Sequence, residues 1–107
     1  MTVYISNAFS LSMLTPPITV KVVEASVEDV KNILTRGFTS AVGHEATAQV
    51  ITTQLSIPVP TNRVGIKLSA GDVLIVFQLL TRLPEGKILG VDEMRQMPAN
   101  WYVVTLQ

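Results

Sequence analysis

Hydrophobic positions along this chain fall into recognisable patterns, and each predicts a kind of element. Val73-Leu74-Ile75-Val76-Phe77-Gln78-Leu79-Leu80 is apolar at every position but one, which predicts a buried strand. Pro84 and Gly86 then turn the chain, so that Arg82, Glu85 and Lys87 crowd the exit of a rigid element. Val27, Val30, Ile33 and Leu34 repeat at helical spacing. Ser26 precedes them as N-cap with Asp29 three residues on, a capping-box start, and Gly37 supplies the stop. A second helix is predicted from about His44 to Leu55, burying Val50, Ile51 and Leu55, and Ser56-Ile57-Pro58-Val59-Pro60 breaks it. A short third helix runs Val91–Met97 and stops at Pro98.

Shorter β-branched and aromatic runs predict further strands at Val3–Ser6, Ile18–Val23 and Trp101–Leu106. Between the first two, Asn7–Leu14 reads as a loop or one helical turn ended by Thr15-Pro16-Pro17; Phe38–Gly43 reads as a connector. Arg63–Leu68 alternates, with Val64, Ile66 and Leu68 on one face, and Ala70-Gly71-Asp72 joins it tightly to the long apolar strand. An antiparallel hairpin is expected there. The order predicts one α/β (α+β) domain over residues 1–107, a mixed sheet of roughly five strands flanked by helices.

Composition narrows the function. Of 107 residues 48% are hydrophobic and 15% charged, so some apolar surface is expected to pair with a second copy of the chain. Eight basic residues balance eight acidic ones, which leaves no bulk charge to hold a long nucleic acid; a nucleic-acid ligand should be small and sit in a pocket. The absence of cysteine removes disulfides, thiolate metal sites and a thiol nucleophile. The N-terminal residues do not form a signal peptide and no apolar run reaches the length of a membrane span. A cytoplasmic location is expected, the host cytoplasm if the source is viral.

The candidate chemistry is sparse. His44 is the only histidine, the side-chain type that exchanges protons near neutral pH. At a helix start it would stand beside free N–H groups that attract phosphate, where a charged imidazole suits general-acid work; an ordinary half-buried histidine is the plain alternative. Arg82 and Glu85 form either a functional pair or a weak surface ion pair. Arg63 with Asn62 could contact a phosphate, or Arg63 could simply be solvated. Asn7 and Ser10 could donate to a ligand, although turn chemistry explains them equally well. Gln78, inside the apolar run, must bridge backbone or face a ligand. No glycine-rich phosphate loop, dinucleotide fingerprint or metal-ligand cluster occurs, so cofactor-free acid–base chemistry remains.

Asn7-Ala8-Phe9-Ser10 with Met13-Leu14, Gly43-His44 with Thr47, Asn62-Arg63 before Ile66-Lys67-Leu68, then Gln78 and Arg82-Leu83 with Glu85-Gly86-Lys87-Ile88-Leu89, occur in this order. The pattern, spanning residues 3 to 89, resembles the viral ring nucleases, anti-CRISPR proteins of archaeal viruses and phages with cellular relatives. The resemblance implies a symmetric homodimer with cyclic tetra-adenylate, the second messenger of type III CRISPR defence, bound at its interface and cleaved without metal or cofactor. It implies attack of a ribose 2′-hydroxyl on the adjacent phosphorus, giving linear di-adenylates with 2′,3′-cyclic phosphate ends. His44 matches the general acid, Arg82 the residue stabilising phosphoryl charge, and Glu85 the one that orients the histidine. Asn7, Ser10, Thr47, Arg63 and Gln78 match positions lining the pocket. Glu45-Ala46 stands where the family carries Asp-Ser. Two rivals remain open: a module that binds the cyclic nucleotide without turnover, and a structural or nucleic-acid-binding viral dimer.

Overall fold

In the computed structural model, which describes residues 2–83 and 88–107, the central strand is the apolar run. Strand β4 (Val73–Leu79) has Leu74, Ile75, Val76 and Phe77 buried. It lies inside a five-stranded sheet that also contains β1 (Val3–Ser6), β2 (Val20–Ala25), β3 (Thr39–Ser40) and β5 (Ala99–Leu106), in the spatial order β2-β5-β4-β1-β3. β5 runs antiparallel to both β2 and β4, whereas β4, β1 and β3 are mutually parallel. The expected mixed α+β architecture is therefore present.

Side-chain alternation divides the core into two layers. Val3, Ile5, Ile75, Phe77 and Trp101 face the helices α1 (Val27–Leu34) and α2 (Glu45–Leu55), meeting Val30, Leu34, Val50, Ile51 and Leu55. The third helix, α3 (Val91–Gln96), adds Met94 at the margin. Leu74, Val76, Val104 and Leu106 face the other way, and loops rather than helices cover them through Phe9, Met13, Leu14 and Ile66 with the buried Leu68. The α1 start follows its sequence: Ser26 Oγ accepts from the Asp29 N–H at 3.1 Å while the Asp29 carboxylate accepts from the Ser26 N–H. Gly37, at φ 102°, ends the helix two residues past the cap Thr35.

One expectation fails. Arg63–Leu68 is not a strand and makes no hairpin with β4. Both edges of β4 are occupied, one by β1 from Val3↔Val73 to Ser6↔Val76 and the other by β5 from Val73↔Thr105 to Leu79↔Ala99. The segment instead lies over the helix-free face, where the Leu68 N–H donates to the Met13 carbonyl at 2.7 Å and Lys67 Nζ donates to the Ser12 carbonyl at 2.6 Å. The fifth strand comes from Thr39–Ser40, inside the stretch read as a connector. The Asn7–Leu14 stretch contains a single 3₁₀ turn at Leu11–Met13. No helix among the described residues is long and apolar enough to cross a membrane.

Candidate functional site

The direction of the strands decides where chemistry can gather. Because β4, β1 and β3 are parallel, their C-terminal ends open on one edge of the sheet, the position where α/β sheets offer a crevice to ligands. Asn7 follows β1, the loop leading to His44 follows β3, and Gln78 closes β4 with Arg82 just beyond. Asn7, Thr47 and Gln78 line one cleft of about 230 Å³ there, with Phe77 and Leu79. Three of the residues picked from the sequence therefore share a wall. Gln78 is exposed to this cleft rather than buried in the strand, which answers why a carboxamide interrupts an apolar run.

His44 is the N-cap residue of α2, exposed and in extended conformation (φ −127°, ψ 127°). Its side chain makes no capping hydrogen bond, so the ring remains available. The N–H groups of Glu45, Ala46 and Thr47 find no acceptor among the described residues. Where Ser26 closes α1 with a capping box, α2 thus presents an open, positively polarised terminus at the strand-end edge. Such a terminus attracts an anion.

Buried polar side chains hold this loop in place. Ser6 Oγ, buried at the end of β1, donates to the Ala41 carbonyl at 3.2 Å. Ser40 Oγ donates to the Pro60 carbonyl at 2.6 Å. Asn62 closes the arrangement, its N–H donating to the Val42 carbonyl at 2.8 Å and its Nδ2 to the Ser40 carbonyl at 2.7 Å. The Asn62 amide is thereby spent on backbone and does not reach for a phosphate. Its neighbour Arg63 is exposed, with its stem against Gly43: a Cβ placed on Gly43 would lie 3.5 Å from Arg63 Cγ. The guanidinium has no partner among the described residues, and the stem contact is with Gly43, the residue before His44. Ser6 and Ser40 carry no motif; only their position in strands that end at the site marks them.

One assignment comes out differently. Ser10 is the N-cap of the 3₁₀ turn, its hydroxyl accepting from the Ser12 N–H at 3.1 Å and sharing a 2.7 Å hydrogen bond with Ser12 Oγ, and it does not line the cleft. Turn chemistry, the plainer of its two readings, accounts for it. Arg82 is exposed two residues beyond Leu80, whose N–H donates to the Pro98 carbonyl at 2.9 Å. Glu85 and Lys87 lie outside the described residues.

Larger hollows lie elsewhere. One of about 410 Å³ sits at the opposite sheet edge between α1 and Val3, Val73 and Val103; another of about 350 Å³ flanks α2 beside Met94. The second reaches Glu45 in the first turn of α2, but neither is lined by His44 or by the strand-end amides Asn7 and Gln78, so the convergence of polar groups rather than size identifies the site.

Comparison with known proteins agrees on one family. The family model described as STIV B116-like matches residues 3–101. Uncharacterized protein 26 of Sulfolobus islandicus filamentous virus is 43% identical over 79 residues, which cover 72% of this chain and 67% of that protein. Uncharacterized protein ORF117 of Acidianus two-tailed virus is 34% identical over 83 residues, 74% of this chain and 71% of that one. Among solved structures, B116 of Sulfolobus turreted icosahedral virus superposes with a TM-score of 0.85 at 29% identity, covering 98% of this chain and 99% of its own.

Proposed function

The chain belongs to the STIV B116-like family, which includes proteins of archaeal viruses, and from that premise we propose that it is a metal-independent ring nuclease cleaving cyclic tetra-adenylate. The observation that carries the reading is the open N-terminus of α2, with His44 as an unencumbered cap beside a cleft lined by Asn7, Thr47 and Gln78. The N–H groups of Glu45, Ala46 and Thr47 hold a phosphodiester oxygen, and Arg63 adds a cation next to Gly43. The ribose 2′-hydroxyl attacks the adjacent phosphorus and releases its proton to solvent. The P–O5′ bond breaks, and His44 gives its proton to the departing O5′. Arg82 offsets charge on the phosphoryl oxygens. Two such cuts turn the ring into two di-adenylates, each ending in a 2′,3′-cyclic phosphate, and in an infected host this would silence the messenger of type III CRISPR defence. The nucleophile belongs to the ligand, so positioning and electrostatics supply the rate.

The reading includes a two-fold homodimer. A cleft of about 230 Å³ is smaller than the roughly 300–1,000 Å³ that encloses a drug-sized ligand, and a tetranucleotide ring is larger still. The helix-free sheet face offers a surface for the second copy: an apolar hollow of about 150 Å³ lined by Phe9, Val22, Val76, Tyr102 and Val104, with Leu11 80% exposed on the covering loop. A two-fold-symmetric ring suits such an isologous pairing.

The deciding experiment incubates the protein and labelled cyclic tetra-adenylate with a chelator and separates the products. Di-adenylate with a cyclic phosphate end is expected. An intact ring retained by the protein would make it a sequestering module instead. Neither cleavage nor retention, together with binding to long duplex DNA that weakens steeply with salt, would favour a nucleic-acid-binding dimer. Arg63→Ala is expected to weaken ring affinity about tenfold or more, with the rate of the bound ring nearly unchanged. Titration paired with single-turnover kinetics checks this; a loss confined to turnover would move Arg63 from binding to catalysis.

A further inference from the structure

At the strand-end edge β4 and β5 place two carboxamides opposite each other, Gln78 and Asn100. A cross-strand pair whose task was to hold the sheet would bond across the ladder. These side chains do not. The Gln78 amide has no hydrogen bond among the described residues, and Asn100 Nδ2 donates to Tyr102 Oη at 3.2 Å. That bond fixes the half-buried Asn100 amide and leaves Oδ1 as a free acceptor.

Four neighbouring strands each contribute to one row at this edge: Asn100 on β5, Gln78 on β4, Asn7 past β1 and His44 past β3. Gln78 shares a cleft with Thr47 in the first turn of α2 and stands directly across the ladder from Asn100. A phosphodiester at the α2 terminus would therefore have the two amides on the side toward which its base extends.

Resting on the cyclic tetra-adenylate reading, we propose that Asn100 is a specificity-determining residue whose Oδ1 accepts the adenine N6 amine while Gln78 donates to the neighbouring ring nitrogen. Adenine sets a donor beside an acceptor, which matches a pair of carboxamides. Hypoxanthine sets a carbonyl where the amine stood, and that oxygen would face Asn100 Oδ1 with no proton between them. Nothing in the sequence motifs points to Asn100; its register opposite Gln78 and its bond to Tyr102 do.

The test compares affinities for cyclic tetra-adenylate and cyclic tetra-inosinate by equilibrium dialysis, both rings made with 2′-deoxyribose so that they lack the attacking hydroxyl and stay intact. The wild-type protein is expected to prefer the adenylate ring about tenfold or more. Asn100→Ala brings the ratio close to one by lowering affinity for the adenylate ring with no loss for the inosinate ring, and Asn100→Asp, which keeps the acceptor, retains the preference. A wild-type ratio persisting in Asn100→Ala overturns the proposal and leaves the nuclease reading standing. An equal loss for both rings overturns it in favour of a structural role. Failure of the wild-type protein to bind either ring overturns both readings together.

Discussion

His44→Ala is expected to bind cyclic tetra-adenylate about as tightly as the wild-type chain and to cleave it about 10²–10⁴-fold more slowly, the usual range for removal of a general acid. The two halves of this expectation come from different atoms. Binding at the phosphate rests on the backbone N–H groups of Glu45, Ala46 and Thr47 and on Arg63, all of which the substitution leaves in place. Expulsion of O5′ requires a proton on an oxygen that is a poor leaving group as an alkoxide, and His44 is the only histidine in the chain. The substitution should also be structurally mild, since the exposed side chain makes no capping bond and nothing packs away with it. Single-turnover rates, ring affinity and a thermal midpoint separate the outcomes. An unchanged rate would remove His44 from the mechanism. Lost affinity with an intact rate on the bound ring would make it a binding group instead.

What the sequence revealed and what it concealed follow from the physics of each segment. β4 was legible because a strand paired on both sides and covered on both faces must be apolar throughout, and Val73–Leu79 is, apart from Gln78. α1 was legible because its cap is local: Ser26 and Asp29 satisfy each other within one turn. Arg63–Leu68 misled because alternation reports that one face is buried, not that a partner edge is free. Leu68 is buried and Val64 49% exposed, yet both edges of β4 were already taken. β3 has two residues, too few for any periodicity, and its place depends on the Ala41 N–H reaching the Ile5 carbonyl at 2.8 Å.

The candidate site was read in a similar mixture. Asn7, Thr47 and Gln78 were picked out far apart in the chain, and parallel pairing brings them to one cleft. Ser10 was placed with them, but its hydroxyl is committed to Ser12. The scaffold beneath His44 could not be anticipated, because Ser6, Ser40 and Asn62 act through backbone carbonyls that only the folded chain supplies. Asn100 escaped notice for the same reason: its meaning depends on which residue stands opposite it.

The site and the core are not separable at Phe77, and that gives the largest expected effect on stability. Phe77 is 1% exposed, its ring centroid lies 4.6 Å from that of Trp101 at an interplanar angle of 56°, and its other side backs the cleft shared by Asn7, Thr47 and Gln78. Phe77→Ala is expected to cost about 3–5 kcal/mol, combining lost transfer energy, the cavity left behind and the tilted aromatic contact. Set against the roughly 5–15 kcal/mol that holds a small domain folded, such a loss leaves little margin. At about 4–8 °C per kcal/mol for a chain of this size, the thermal midpoint should fall by more than about 10 °C. Phe77→Leu, which keeps much of the volume, should lose about 1–2 kcal/mol, and Val64→Ala on the exposed cover should change stability by less than about 0.5 kcal/mol. Urea unfolding of the three variants at one temperature measures this ranking. If Phe77→Ala and Val64→Ala were equally mild, β4 would not be the centre of the fold, and the cleft it floors could not be the rigid platform that positional catalysis requires.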